Sequence, residues 1–340
     1  MTSPRRVVVR APVRALDAGG WTDTWFAKTG AVCSVAMGDA VEVRAERVPL
    51  ISASARGTAV LDVPSFGDRY EFVIDAPPGR HPLLEAVVRE RCPRADRVEI
   101  TVTSSVPPGA GLGTSAAVVV GLIVALDTLA DLPWDATSVA RAAHEIETVA
   151  LAMQSGVQDQ IAAARGGCNL IMIESYPEAE VRSLDLAAST WELLRRRLVT
   201  VYLGAPHRSS ELHAMVIERL RSADGSKLFP PLQAAAHAAA AALLHGDLDA
   251  YADAMIANTE AQAALHPALV STTAREVIAR ANARGAIGWK VNGAGGEGGS
   301  ITFIAQDDPG EIVDMLRSTS GLVVLPLEPS PFGARVVDGD

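Results

Sequence analysis

Five stretches of this 340-residue chain carry residue types suited to chemistry on phosphates and hydroxyls. The first is Ser105-Val106-Pro107-Pro108-Gly109-Ala110-Gly111-Leu112-Gly113-Thr114-Ser115-Ala116-Ala117. Its small residues let backbone N–H groups approach an anion closely. The helix expected to follow adds unpaired N–H donors and the positive end of the peptide dipole. Thr114 and Ser115 place hydroxyls at the helix start, suited to capping it or to holding a metal ion bound to phosphate. No lysine lies where a P-loop needs one, and Thr114 stands where a dinucleotide fingerprint has glycine. Taken alone, the same residues could form an ordinary strand-to-helix turn.

The second stretch, Arg10-Ala11-Pro12-Val13-Arg14-Ala15-Leu16-Asp17-Ala18-Gly19-Gly20-Trp21-Thr22-Asp23, runs a strand into a Gly-Gly turn that presents a carboxylate. A carboxylate at a tight turn can accept two sugar hydroxyls, and an arginine on the strand supplies positive charge. The alternative is an Asx-type turn with a surface ion pair. The third joins Glu147 to Ser155-Gly156-Val157-Gln158-Asp159-Gln160, and phosphoryl transfer needs such a carboxylate to take or orient a proton. Both acids could also be plain helix charges. The fourth is Lys290-Val291-Asn292-Gly293-Ala294-Gly295-Gly296-Glu297-Gly298-Gly299-Ser300, a glycine loop before an apolar strand. The fifth, His207-Arg208-Ser209-Ser210, puts Arg208 at a helix entry, where it could bind a second anion or stand solvated beside an N-cap.

Together these stretches resemble the three motifs of the GHMP kinases. The pattern Pro-x-x-x-Gly-Leu-x-Ser-Ser-x is met from Pro107 to Ala116, with Thr114 in place of the first serine. The resemblance covers residues 5–305 and implies a two-domain α+β fold, with a ribosomal-protein-like N-terminal half (1–185) and a ferredoxin-like C-terminal half (186–340). It implies ATP and Mg²⁺, with phosphates on Pro107 and on Gly109, Ala110, Gly111, Leu112, Gly113, Thr114 and Ser115. By the same resemblance Asp159 is the catalytic acid with Arg14 beside it, where a cation keeps the carboxylate ionised. Glu147 binds the metal with Ser115 or Thr114; Glu145 is a neighbouring competitor for that role.

The turn Gly19-Gly20-Trp21-Thr22-Asp23 departs from the Gly-Glu-His-Thr-Asp of galactokinases and looks like the form in L-fucokinases and heptose 7-phosphate kinases. It implies sugar recognition by Gly19, Gly20, Trp21, Thr22 and Asp23. Gly293, Ala294, Gly295 and Gly296 are expected to close over the substrate. Glu297 interrupts these glycines, and an acid beside a triphosphate is repelled unless it points outward, toward Mg²⁺ or toward a substrate hydroxyl. The segment 204–210 is similar to a Gly-x-x-Arg-x-Ser segment of heptose-phosphate kinases, which makes Arg208 a clamp for a phosphate already on the sugar. The implied reaction is phosphorylation of an anomeric hydroxyl, on a heptose 7-phosphate or on an unphosphorylated sugar such as fucose. A decarboxylase of the same fold and a silent sugar sensor are the remaining alternatives. The Gly-Gly-x-Thr-Asp form argues against the first, and Asp159, Glu147 and Arg14 against the second.

The elements that must position these residues follow from periodicity. Residues 7–13, 31–44 and 98–102 read as strands, and 81–91, 115–130, 136–153 and 158–165 as helices. A break falls between 175 and 190. A strand at 168–173 precedes it; beyond it come strands at 198–203, 301–304 and 321–325 around helices at 210–221, 233–244, 248–265 and 272–283, and 328–340 reads as a partly ordered tail. The formal net charge of -10 without a basic patch argues against nucleic-acid and membrane-surface partners. The apolar run 116–126 is too short to span a bilayer, and 1–14 lacks the apolar core of a secretion signal. Cys33, Cys92 and Cys168 lack metal-ligand spacing and suit a reducing compartment. The expectation is a soluble cytoplasmic monomer or homodimer acting on a small sugar or sugar phosphate.

Overall fold

The computed structural model describes residues 6–48, 57–77, 79–92, 97–205, 209–221 and 225–339. Strands β1 (Arg6–Ala18), β2 (Gly30–Val48), β3 (Thr58–Val63), β4 (Asp68–Val73), β5 (Arg97–Ser104), β6 (Cys168–Ser175) and β7 (Glu178–Leu184) build a first sheet. The long β2 is shared: residues 30–35 pair with β6, and 41–48 pair with β5. Only β3 and β5 run parallel among the neighbours described in this sheet. The β1–β2 register shifts between Ala11 and Val13 and again between Ala15 and Ala18. Bulges of this kind re-aim side chains, and they bracket Arg14.

One face of this sheet is covered by α1 (Pro82–Arg91), α2 (Thr114–Leu129), α3 (Ala136–Glu145) and α4 (Gln158–Arg165). α2 is apolar all round because it is buried all round, between β1 and β2 below and the neighbouring helices beside it. The helix expected over 136–153 stops early: α3 ends at Glu145, and Ile146–Ala150 forms a π turn. The wider turn leaves Glu147 only 4% exposed and Val149 78% exposed. A 3.6-residue apolar period does not register one added residue in a turn.

After α5 (Ala188–Arg197), strand β8 (Leu198–Tyr202) begins a second sheet. It continues through α6 (Ser209–Leu220), α7 (Phe229–His245), α8 (Leu248–Leu265), α9 (Thr272–Asn282), β9 (Ala286–Val291), β10 (Ser300–Ala305), α10 (Gly310–Arg317) and β11 (Val323–Leu325). Its order, β11-β8-β10-β9, with antiparallel pairs throughout, is the split βαβ arrangement of ferredoxin-like sheets. α7 packs on β1 and β2 while α8 packs on β9, so the helix pair sits between the two sheets and one apolar core runs through both.

The tail is ordered where a partly ordered one was expected. β12 (Arg335–Gly339) pairs antiparallel with β1 and becomes the edge of the first sheet. Its valines gain ladder hydrogen bonds from a strand more than three hundred residues away, which no local pattern announces. β7 lies in the segment that Tyr176-Pro177 and its gathered polar residues mark as a break; its strand shows only in the structure, where it pairs with β6. All three cysteines are buried and free, and among the described residues no helix is long and apolar enough to cross a membrane.

Candidate active site

The β5–α2 loop, the β1–β2 turn, the first turn of α4 and the β9–β10 loop meet around one cavity of about 540 Å³, within the usual range for small-molecule sites. Residues 108–115 form one wall. Pro107 is not part of that wall, and Pro108 stands there in its place. Gly109, Gly111 and Gly113 hold φ of 74°, 73° and 72°, a left-handed backbone that only glycine adopts freely, so the loop can turn tightly at the cavity wall. Gly113 is the N-cap of α2 and offers no side chain, which leaves the first N–H groups of the helix for a ligand. Thr114 Oγ1 is buried without a partner, and Ser115 is exposed to the cavity.

Arg14 and Asp159 come together against this loop. Arg14 Nε donates to Asp159 Oδ1 at 2.8 Å, its Nη1 donates to the Gly111 carbonyl, and its backbone N–H donates to Leu112 O at 2.9 Å. Burial pulls the guanidinium pKa down, but the carboxylates of Asp159, Asp17 and Asp23 more than offset this, and the net shift is upward. Asp159 lies so close to Gly113 that a Cβ there would stand 3.1 Å from its Cγ. One cation thus ties the phosphate loop to a carboxylate 29% exposed at its side chain.

The residues of the turn Gly19–Asp23 divide. Trp21 and Asp23 line the cavity; Gly19, Gly20 and Thr22 do not. Thr22 Oγ1 donates to Gly19 O at 2.7 Å and accepts from Ala31 N at 3.1 Å, so it pins the turn from behind. Asp23 caps α4 from outside: Oδ2 accepts the N–H groups of Val157 and Gln158 at 3.0 and 3.1 Å. A Cβ at Gly156 would lie 2.1 Å from that oxygen, so only glycine lets the cap form. Burial raises the Asp23 pKa to about 6, against the pull of the Gln158 backbone bond.

Glu147 lies behind the cavity wall. Its Oε2 accepts from Ser155 Oγ and Gln160 Nε2, both at 2.6 Å, while Oε1 is buried without a partner. Ser155 lines the cavity and Glu147 does not. Burial, helped by the charge of Asp159, raises the Glu147 pKa to about 7. Among the described residues no cluster of three His, Cys, Asp or Glu could hold a metal ion. A metal here would therefore need phosphate oxygens to complete its shell. The orphaned Oγ1 of Thr114, on a residue of the cavity wall, is a hard oxygen donor and fits Mg²⁺, whereas Glu147 stands behind Ser155 and does not reach the cavity itself.

The raised carboxyl makes a prediction for the metal-free protein. Its contribution to stability is full below the unfolded pKa of 4.5 and is lost as pH rises through about 7. Glu147→Gln should therefore flatten the fall in urea midpoint between about pH 4.5 and 7, and a slope equal to the parent's would refute the assignment of that titration to Glu147.

The β9–β10 loop is held by the β1–β2 turn. Gly293 and Ala294 line the cavity, whereas Gly295 and Gly296 pack away from it, Gly296 N donating to Leu269 O at 3.0 Å. Glu297 is exposed and lies outside the cavity wall, so it does not face the phosphate loop. Asn292 accepts the N–H of Leu16 at 3.0 Å, and Gly293 N–H donates to Asp17 Oδ2 at 3.1 Å. Lys290 Nζ stands 3.5 Å from Asp17 Oδ1, with both side chains 1% exposed. Burial lowers the lysine pKa, opposed by Asp17.

The cavity has two unlike ends. Near Asp159 it is bounded by Trp21, Gln154, Gln158 and His213, with Trp25, Phe26 and Phe229 packed behind. At the far end Val63, Phe66, Leu83, Val102, Val106 and Val118 make an apolar slot. Glu85 organises its rim, accepting from Tyr70 Oη at 2.5 Å and from the N–H groups of Arg80 and His81 at 2.9 Å. Arg208 lies outside the described residues.

Asp17, the His213–Gln154 pair and the apolar slot escaped the sequence reading. Asp17 had a signal, since it sits between Arg14 and Gly19 in the same stretch. The others are assembled from distant elements and had none.

Residues 83–167 match the family described as GHMP kinases N terminal domain. The chain carries that domain, and its fold is the α+β GHMP kinase fold. It is 28% identical to a mevalonate kinase of Pyrococcus abyssi over 250 residues, 69% of this chain and 68% of that protein. It is 26% identical to a D-glycero-alpha-D-manno-heptose 7-phosphate kinase of Campylobacter jejuni over 222 residues, 65% of each. The chain thus spans about two thirds of these curated relatives. The crystal structure of a D-glycero-D-manno-heptose 1-phosphate kinase from Bacteriodes thetaiotaomicron superposes with a TM-score of 0.74 at 21% identity, covering 98% of this chain and 99% of that one.

Proposed function

We propose that the protein is an ATP-dependent kinase that transfers the γ-phosphoryl group to the anomeric hydroxyl of a sugar, with a heptose 7-phosphate as the first candidate acceptor. The observation that carries this reading is the contact of Asp159 with Gly113 beneath the Arg14 bridge. A γ-phosphate seated on the glycine loop and a hydroxyl held by Asp159 would be neighbours. The apolar slot suits a purine base. Asp159 takes the proton of the acceptor hydroxyl as its oxygen bonds to the γ-phosphorus and the bond to the β-phosphate oxygen breaks. Arg14 keeps the carboxylate and the loop in register. Thr114 and Ser115 would hold Mg²⁺, which would supply charge neutralisation for the phosphates, with Glu147 acting through the Ser155 hydroxyl rather than as a direct ligand.

The curated relatives include both mevalonate kinases and a heptose 7-phosphate kinase, so they support a heptose phosphate and mevalonate alike as acceptor. An unphosphorylated sugar is the second reading, favoured by charge. Among the described residues lining the cavity, Asp17, Asp23 and Asp159 are acidic and only Arg14 carries a permanent positive charge. A second phosphate at that end would meet net repulsion unless Arg208 offset it. A panel of L-fucose, D-mannose, D-glycero-D-manno-heptose 7-phosphate and mevalonate, read by ADP release and phosphorus NMR, separates these cases. The expected product is a sugar 1-phosphate. Phosphorylation of mevalonate alone would overturn the sugar reading.

A further inference from the structure

We propose that Gln158 selects the acceptor. Its amide oxygen accepts a hydrogen bond from the hydroxyl next to the one phosphorylated, and the indole N–H of Trp21 donates to the same diol. The proposal rests on the kinase reading for the identity of the reacting hydroxyl. Gln158 lines the cavity and is 6% exposed. Its Nε2 donates to Asp23 Oδ1 at 3.4 Å, and the Asp23 carboxylate is itself fixed by the N–H groups of Val157 and Gln158. Turned over, the amide would set oxygen against carboxylate oxygen, so Asp23 decides which way round Gln158 stands.

That orientation leaves Oε1 buried at the wall with no protein partner. Such an acceptor costs about 1–3 kcal/mol unless water or a ligand hydroxyl reaches it. Trp21 Nε1 is a second buried polar atom without a partner, on a side chain 5% exposed. Trp21 holds φ of 81°, a conformation rare for a large side chain, and its ring packs edge-on to His213 at 5.2 Å. The strain is tolerable where the ring position has a use. An orphan acceptor and an orphan donor, both on residues lining the cavity, match a hydroxyl that gives its proton to the amide and takes one from the indole. Asp159 follows Gln158 in the first turn of α4, and both line the cavity.

The test pairs deletion of the amide with deletion of the hydroxyl. L-fucose and D-mannose are compared with 2-deoxy-L-fucose and 2-deoxy-D-glucose, by tryptophan-fluorescence titration without ATP and by ADP release with it. Removing the 2-hydroxyl should weaken binding about 10-fold in the parent protein and less than about 2-fold in Gln158→Met, because the amide oxygen no longer discriminates. Trp21→Phe keeps the ring and should show the same loss of discrimination from the donor side. Equal discrimination in the parent and both variants, or no binding of any of these sugars, would overturn the proposal. Intact discrimination in the titration without ADP release would sink the kinase reading and leave the recognition standing.

Discussion

Asp159→Asn lowers kcat by about 10²- to 10⁴-fold, the range for loss of a positioned general base, while the KM for ATP and the melting temperature stay near the parent's. Asparagine keeps the volume and leaves an oxygen for Arg14 Nε, so the bridge from Asp159 through Arg14 to Gly111 survives. What is lost is the capacity to take a proton. Steady-state ADP release with the accepted sugar, alongside a thermal melt, measures both halves. A variant as fast as the parent removes Asp159 from the chemistry; a slow variant that also melts early makes it a structural anchor instead.

Lys290→Met destabilises the protein by about 3–5 kcal/mol, the cost of leaving one member of a buried ion pair uncompensated. Asp17 is then a carboxylate 1% exposed, held among the described residues by the Gly293 N–H and the more distant Arg14. Adding Asp17→Asn to Lys290→Met recovers most of the loss, because the buried charge disappears while the amide oxygen still accepts from Gly293. Urea denaturation of the parent, both single variants and the double gives the coupling energy. Near-additive effects would mean that the pair does not hold the two sheets together across the site. The consequence for activity follows from position: this pair joins β1 to β9, and through Gly293 it sets the glycine loop against Gly111.

The glycine loop, Arg14 and Asp159 could be singled out in the sequence because each belongs to a short stretch with a local pattern. Glycines with φ near +73°, a helix starting at Thr114 and a carboxylate in the first turn of α4 are all decided within a dozen residues. Asp23 shows the opposite case. Its residue type suggested a contact to sugar hydroxyls, yet its carboxylate caps a helix that begins at Gln158, more than a hundred residues away. Glu147 matched a metal ligand by spacing, but a π turn places it behind Ser155, and local periodicity carries no trace of that turn.

The sequence by itself determined the family of motifs, the order of the principal helices and the chemistry available at the loop, because glycine geometry and apolar periodicity are local properties of the chain. Only the tertiary structure decided which of those residues face one another. β12 completes the first sheet, Lys290 meets Asp17, Glu297 turns away from the phosphate loop, and the Gln158 amide is oriented by Asp23. Each of these depends on how segments far apart in the chain meet. The energy comes from desolvation and pairing in a shared interior, and that interior exists only once the two sheets have closed on the α7–α8 helix pair.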